Sequence, residues 1–191
     1  MYVPPQHVVL RGHRVDETRA RISGVVGGKI PRVMPAVAWR VEVPDEQPLQ
    51  GALVATSDTV ITLSANGTVR CFAAEDGRRR WLAVLDGGIT ASAALSGGRL
   101  VVPTAAGVVA LDVTDGREAW KVPSDYGCRA APAIVGTRVF VSLRNHGVLG
   151  LDIKTGEPRV ERKLAPQGAL LADADLLVVG TEDGTLRSLD P

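Results

Sequence analysis

The sequence predicts an all-β fold, a β-propeller of four four-stranded blades, and three observations lead to it. Turn glycines recur about every 40 residues, each between two apolar runs, at Gly67, Gly107, Gly147 and Gly184. A second turn follows the first three, ending at Gly77, Gly116 and Gly156. Short β-branched runs separated by turn signals are typical of sheet proteins, and no stretch shows helical apolar spacing. The chain is therefore predicted to contain four copies of one small β unit.

The second and third copies show how the strands of a unit differ. The inner strand, 91–95, is built from small residues, whereas 100–102 and 108–111 are continuous apolar runs. A strand that is apolar throughout is covered on both faces. The last strand of the third copy, 159–164, alternates charged and apolar residues and is predicted to be half in water. One propeller blade typically has an inner strand of small residues, two buried strands and a solvent-exposed outer strand.

The turn before each outer strand is predicted to be held by local hydrogen bonds. Asp112 and Asp152 open such turns and can accept hydrogen bonds from the turn amides, while Gly116 can adopt the positive φ that ends one. The ring of Trp81 or Trp120 on the following strand can then lie over the edge of the adjacent blade. We predict a packing role for these tryptophans.

Residues 110–120, Ala-Leu-Asp-Val-Thr-Asp-Gly-Arg-Glu-Ala-Trp, resemble the Ala-x-Asp-x-x-Thr-Gly-x-x-x-Trp repeat of the PQQ-like (quinoprotein-type) β-propellers. Two other segments, 71–81 and 150–160, are similar but depart from the pattern at Ala73, Asp76 and Val160, and residues 110–120 depart from it at Asp115. The resemblance covers about residues 39–191 and implies a propeller fold. Members of this family include both cofactor-bearing dehydrogenases and non-catalytic scaffolds.

The features of the cofactor-bearing members cannot be mapped onto this sequence. The resemblance would imply an adjacent Cys-Cys pair, a calcium site of carboxylate and amide groups, and an aromatic floor. Cys71 and Cys128 lie in different repeats at unmatched positions, which predicts free thiols rather than a disulfide or metal cluster. We therefore expect no catalytic, cofactor-binding or metal-binding residue, no cofactor, and a protein that is not an enzyme.

Composition gives no sign of a nucleic-acid or membrane partner. The chain has 22 basic and 21 acidic residues and a net charge of +1, so it lacks a general field that would attract a polyanion. No apolar run approaches the roughly 20 residues needed to span a bilayer. The first seven residues lack the basic start and apolar core of a signal peptide. We expect a cytoplasmic protein that binds other proteins.

The last unit is one strand short in the sequence. The fourth copy stops at 187–191, where its last turn and outer strand would begin, whereas 35–43 has the pattern of an outer strand with its tryptophan, Trp39. Because an exposed sheet edge invites association, we predict that the Trp39 strand completes the sheet of 176–190. Closure within one chain would make a four-bladed monomer, and exchange between two chains would make an eight-bladed homodimer. A piece of a longer chain or assembly is the third alternative, and the sequence leaves all three open.

Two regions are predicted: an N-terminal arm, 1–34, and the propeller of four repeats, 35–191. The arm contains several arginines, glycines and prolines. It is interpreted either as a flexible extension or as a docking arm that orders on a partner through the extended runs 7–10 and 22–26.

The candidate interaction site lies on one face of the propeller. Loops that enter the inner strand and loops that join the second strand to the third emerge together there, and loops on a rigid frame often carry function. The third blade is richest, with Tyr126, Arg129, Arg144, Asn145 and His146. Tyrosine and arginine are favoured anchors in interfaces, and the alternative is a solvated rim. His146 has no partner histidine at ligand spacing, so it is interpreted as an exposed turn residue.

The sequence predicts a non-catalytic protein–protein interaction scaffold in a larger assembly, with contacts through this loop face and the N-terminal arm. The alternatives are a propeller that binds a small molecule or glycan in its central channel, and a quinoprotein-type oxidoreductase.

Overall fold

A computed structural model describes residues 37–43, 49, 51, 53–128, 130–143, 147–173 and 176–189. The chain divides into two compact units, Met1–Arg40 and Val41–Pro191. In the first unit the described residues, 37–40, carry no strand, and the predicted boundary at residue 34 lies outside the described part of the chain. None of the described segments is a helix of the length and apolar character needed to cross a membrane.

The described residues form fifteen strands in four antiparallel sheets, which we number as blades 1 to 4. Blade 1 contains β1 (Val54–Ala55), β2 (Thr59–Leu63), β3 (Thr68–Ala73) and β4 (Arg79–Val84). Blade 2 contains β5 (Ala94–Ser96), β6 (Arg99–Thr104), β7 (Gly107–Asp112) and β8 (Glu118–Pro123). Blade 3 contains β9 (Ala133–Val135), β10 (Arg138–Leu143), β11 (Gly147–Asp152) and β12 (Pro158–Arg162). Blade 4 contains β13 (Pro166–Asp173), β14 (Leu176–Thr181) and β15 (Leu186–Leu189). Each sheet is a meander in chain order, as the repeat predicts.

Burial within a blade follows the predicted order. In blade 2 the last five residues of β6 and the first five of β7 are buried, whereas β8 alternates between exposed and buried positions. The inner strand β5 is half-buried and begins at Ala94, three residues later than the apolar pattern predicted. The two middle strands are therefore covered on both faces, and the outer strand is wet on one.

Three hydrophobic clusters join neighbouring blades. Successive residues of β6 pack in two different clusters, because side chains point alternately to the two faces of a strand. Leu100 and Val102 pack in the cluster that contains Ile61 of blade 1, and Val101 packs in the cluster that contains Val139 of blade 3. Burial of such a side chain contributes about 1.5 to 3 kcal/mol, so the continuous apolar runs are what hold successive blades together.

The recurring glycines lie at the start of the third strand or one to two residues before it, and in blades 1 to 3 the backbone approaches them very closely. Gly107 has φ +131°, and a Cβ added there would lie 2.2 Å from the carbonyl oxygen of Val122, where the outer strand passes the turn. The same overlap, at 2.2 and 2.1 Å, occurs at Gly67 and Gly147. Only glycine fits such a position without a backbone shift. At Gly184 the equivalent Cβ would have nothing within 4 Å among the described contacts.

Two sequence predictions concern the last blade. Blade 4 has three strands among the described residues, so the prediction that this unit is one strand short is confirmed. Its completion by the Trp39 strand is not shown, because residues 37–43 carry no strand assignment. The alternating pattern around Trp39 is compatible with a strand, and its pairing with blade 4 stays a prediction.

Candidate functional site

Two sets of loops lie side by side at one end of the blades, and we call this end the loop face. Its described part includes the loops 85–88 and 124–127, which follow the outer strands, and the turn 105–106 of blade 2. The amide of Ala105 donates to the carbonyl of Gly88 at 3.1 Å, and isolated bridges join Ile89 to Thr104 and Cys128 to Leu143. The predicted grouping of these two loop types on one face is confirmed for this part of the chain.

The loop that carries Tyr126 is held in place by its backbone. The amide of Ser124 donates to the carbonyl of Ala106 at 2.9 Å, and the amide of Gly127 donates to the carbonyl of Ser124 at 3.1 Å. The amide of Cys128 closes the loop by donating to the carbonyl of Thr104 at 3.0 Å. Tyr126 itself is 53% exposed. The loop backbone is therefore held in place, and the aromatic side chain of Tyr126 is exposed to solvent.

The corresponding loop of the preceding repeat, 85–88, has no aromatic residue. In the preceding repeat, Gly87 stands at the corresponding position of the loop 85–88, with φ +83° and its Cβ position 2.7 Å from the amide nitrogen of Ala106. No described non-glycine residue has a positive φ, so Tyr126 follows a different backbone path from Gly87. Fold alone does not require an aromatic side chain at this place.

Of the five residues predicted for interaction, the structure describes Tyr126. Arg129, Arg144, Asn145 and His146 lie outside the described residues. Cys128 and Leu143, which directly precede the two segments that carry them, pair with each other in a bridge. The grouping of the five side chains stays a prediction.

Trp81 and Trp120 have the packing role that the sequence predicted. Trp81 Nε1 donates to the carbonyl of Val113 at 2.8 Å, and the Cβ position of Gly116 lies 2.5 Å from the Trp81 ring. Trp120 repeats this arrangement one blade later with Ile153 and Gly156. Each ring thus joins its own blade to the turn of the next. Sequence reasoning missed the glycine as the partner of the ring, although the regular spacing from Trp81 to Gly116 and from Trp120 to Gly156 was a usable signal.

The predicted aspartate caps of these turns are confirmed. Asp112 Oδ1 accepts from the amide of Thr114 at 2.9 Å and from Thr114 Oγ1 at 2.6 Å, and its Oδ2 accepts from Arg99 Nη1 at 2.6 Å. The Thr114 hydroxyl, followed by the Thr114 amide and the Arg99 charge, holds the pKa of Asp112 below its ordinary value. In the next repeat the Lys154 amide bonds the carboxylate of Asp152 and lowers its pKa in the same way.

These caps make stability depend on pH in the acid range. The native pKa of Asp112 is lowered, so its contribution to stability is present above its unfolded pKa of about 3.9 and is lost as pH falls through the native value. We expect the Asp112→Asn variant, whose amide oxygen can still accept from Thr114, to lose less of its unfolding free energy below about pH 4 than the parent chain does. Urea unfolding between neutral and acid pH measures this slope, and Glu118→Gln on β8 is the charge-matched control. An unchanged slope in Asp112→Asn would contradict the role given to this carboxylate.

Within the described residues, no group of three or more His, Cys, Asp or Glu side chains is placed to hold a metal ion. Cys71 and Cys128 are buried free thiols, as predicted. Burial raises the pKa of the Cys128 thiol to about 11. This thiol is therefore protonated at neutral pH and is a poor nucleophile.

A family model described as outer membrane protein assembly factor BamB matches residues 34–168 and 106–191, which together span all four blades. The chain belongs to this PQQ-like β-propeller family. The resemblance inferred from residues 110–120 is thus confirmed. A sequence search for curated relatives of this BamB-family chain finds no match.

Several solved structures share the fold of this BamB-family chain. BamB from Moraxella catarrhalis has a TM-score of 0.71 and 22% identity, with 80% of this chain and 49% of that chain covered. The computationally designed Ika4 protein has a TM-score of 0.71 and 17% identity, with 82% and 99% covered. A quinohemoprotein alcohol dehydrogenase from Pseudomonas putida HK5 has a TM-score of 0.62 and 18% identity, with 76% and 30% covered. These likenesses show the fold alone, and the chain spans about half the length of the BamB structure.

Proposed function

We propose that this BamB-family chain is a non-catalytic interaction scaffold that works within a larger protein assembly. The observation that carries the proposal is the family match, since the matched model describes an assembly factor and covers all four blades. A propeller suits this role because a rigid stack of sheets presents many loops on one face. Its partners are proposed to be proteins.

Tyr126 supports the loop face as the place of contact. Its loop is fixed by three backbone hydrogen bonds, and its ring is exposed. A tyrosine has two side-chain torsions, so it buries a large area on binding at little cost in conformational entropy. Tyrosines are also enriched among the residues that dominate interface energies. We propose Tyr126 as an anchor for the partner, with Arg129, Arg144, Asn145 and His146 as its predicted neighbours.

The N-terminal arm is proposed as a second contact. The arm, 1–34, lies outside the described residues, so its role rests on the extended runs in its sequence.

The cytoplasmic location inferred from the first residues also stays a prediction. The description of the matched family names an outer-membrane process, and cell fractionation of the intact producing cell distinguishes the two locations.

Tyr126→Ala tests the proposed anchor. We expect recovery of the co-purifying partner to fall at least about tenfold, because truncation of a dominant interface residue costs about 2 kcal/mol or more. The change should leave the unfolding free energy within about 0.5 kcal/mol of the parent value, since the side chain is exposed. Quantitative pull-down from native extract, together with urea unfolding, measures both.

Leu82→Ala is the matched control, because Leu82 is an exposed apolar residue on β4 rather than on the loop face. It should leave recovery of the partner unchanged. Equal recovery with parent chain and Tyr126→Ala would contradict the anchor. Titration with pyrroloquinoline quinone and calcium tests the non-catalytic part of the proposal separately, and a saturable rise in melting temperature would overturn it.

A further inference from the structure

The turn 65–67 of blade 1 contains the dipeptide Asn66-Gly67 and lies on the loop face, at the same place as the corresponding turn of blade 2. Asparagine is among the thermally labile residues of proteins. The main-chain nitrogen of the next residue can attack its side-chain carbonyl carbon, and a following glycine hinders this attack least because it has no side chain. The other asparagine of the sequence, Asn145, precedes a histidine. Asn66 is therefore the asparagine that this reaction favours.

Hydrogen bonds in the folded turn hold both reacting groups. The amide of Gly67, which would be the nucleophile, donates to the carbonyl of Ser64 at 3.0 Å. Asn66 Oδ1 accepts from the amide of Thr68 at 3.1 Å, so the side chain is held as well, although residue 66 is exposed to solvent. An amide nitrogen that stays in such a bond does not attack. The reaction therefore requires local opening of the turn.

Blade 4 contains the same turn with an aspartate in place of the asparagine. The amide of Gly184 donates to the carbonyl of Thr181 at 3.0 Å, which repeats the bond made by the glycine amide in blade 1. Asp183 Oδ1 accepts from the amide of Thr185 at 3.1 Å, the same distance as in the bond to Asn66. A carboxylate at this position thus makes the hydrogen bond that the amide oxygen makes in blade 1.

The turn of blade 1 holds both ends of the loop 85–88. The amide of Leu85 donates to the carbonyl of Gly67 at 2.9 Å, and the amide of Ile89 donates to the carbonyl of Ala65 at 3.2 Å. The approach at Gly67 is close, because a Cβ added there would lie 2.2 Å from the carbonyl oxygen of Leu85. A longer main chain between Ala65 and Gly67 would therefore move the two acceptors apart and loosen the loop.

We propose that Asn66 is a site of spontaneous deamidation, and that its isoaspartate product releases the loop 85–88. When the turn opens, the nitrogen of Gly67 forms a bond to Asn66 Cγ and gives up its proton, and the side-chain nitrogen leaves as ammonia. Water then adds to either carbonyl of the resulting succinimide ring and yields aspartate or isoaspartate. Neither step needs an oxidant, a reductant or an enzyme.

The two products have different consequences for the loop. Aspartate at residue 66 leaves the main chain unchanged and gives blade 1 the turn that Asp183 forms in blade 4. Isoaspartate carries the main chain through the former side chain, which adds a methylene before Gly67 and leaves a carboxylate on Cα. The former side-chain carbonyl is then part of the main chain, so it cannot keep both the bond from Thr68 and the path of the turn.

Peptide mapping by mass spectrometry tests the site. The chain is incubated at mildly alkaline pH, folded and in guanidinium chloride, and the conversion of Asn66 is compared with that of Asn145. In guanidinium chloride we expect Asn66 to convert at least about tenfold faster than Asn145, because glycine follows only Asn66. Asn66 should convert at least about tenfold more slowly in the folded chain, in which the turn is open for a small fraction of the time. Unconverted Asn66 in the denaturant, or equal rates in both states, would overturn the proposal.

Amide hydrogen exchange of the refolded, reacted chain tests the consequence. We expect residues 85–89 to exchange at least about tenfold faster in a fraction of the molecules equal to their isoaspartate content, because the amides of Leu85 and Ile89 lose their acceptors. Freshly purified Asn66→Asp is the matched control and should exchange like the parent chain. Slow exchange in all reacted molecules, or fast exchange in Asn66→Asp, would contradict the assignment. Equally fast exchange in the loop 124–127 would show general unfolding and would overturn the local release.

Discussion

Replacement of Gly107 by alanine is expected to lower the unfolding free energy by about 3 to 5 kcal/mol. Two causes add. Gly107 has φ +131°, a region that residues with a Cβ rarely adopt, and the added Cβ would lie 2.2 Å from the carbonyl oxygen of Val122 and 2.9 Å from the amide nitrogen of Ser124. Both neighbours are backbone atoms, so the outer strand would have to move. Urea unfolding followed by circular dichroism measures the loss.

Gly97 provides the control within the same blade. It also has a positive φ, +56°, but an added Cβ would meet nothing within 4 Å. Gly97→Ala should therefore lower the unfolding free energy only through the unfavourable positive φ of the alanine, by about 1 to 2 kcal/mol. Equal losses in Gly97→Ala and Gly107→Ala would show that contact with the outer strand does not explain the recurring glycine.

Removal of the Trp120 ring is expected to cost about 3 to 5 kcal/mol, the usual range for truncation of a buried tryptophan. The ring is 8% exposed, and its Nε1 donates to the carbonyl of Ile153 at 2.9 Å. Trp120→Ala would open a cavity between blades 2 and 3 and leave that carbonyl without its donor. Trp120→Phe keeps most of the apolar area and should cost less, about 1 to 3 kcal/mol, chiefly through the lost hydrogen bond. Thermal or urea unfolding measures both, and Lys121→Ala, the exposed neighbour on β8, is the control.

A double-mutant cycle identifies the partner of the ring. The Cβ position of Gly156 lies 2.6 Å from the Trp120 ring, so Gly156→Ala should be costly in the parent chain. In the Trp120→Ala background the ring is absent, so Gly156→Ala should lower the unfolding free energy only through the strain of an alanine at φ +74°. The two changes should therefore be non-additive by about 1 kcal/mol or more. Additive losses would contradict a direct contact between ring and turn.

The junction between blades 3 and 4 is built differently, because Val160 replaces the tryptophan there. Phe140 on the second strand packs in the cluster that joins blades 3 and 4, and its ring lies 2.9 Å from the Cβ position of Gly150. In blade 2 the same positions are held by Val101 and Ala110. The larger residue on one strand is thus matched by a glycine on the next, which keeps the packed volume similar.

Local chemistry was predictable from the sequence because its causes lie within a few residues. The Asp112 carboxylate bonds a turn amide two positions away, and the positive φ of Gly116 belongs to that same turn. The apolar runs of β6 and β7 predicted two-sided burial, and the glycine period predicted the number of blades. Tyr126 was selected for the same reason, since its position in a loop between two strands follows from the pattern alone.

Contacts between blades were decided by the tertiary structure. The sequence predicted that the Trp120 ring lies over the adjacent blade but not that its Nε1 donates to the carbonyl of Ile153. Nothing near Gly107 in sequence indicates that the outer strand passes 2.2 Å from its Cβ position. Leu186 and Val108 occupy equivalent positions in their repeats, yet one is exposed and the other buried. The sequence determined the repeating unit, because each blade forms its own turns and hydrogen bonds. The structure decided which faces and edges are covered, because burial is a property of the neighbour that packs against a strand and not of the strand itself.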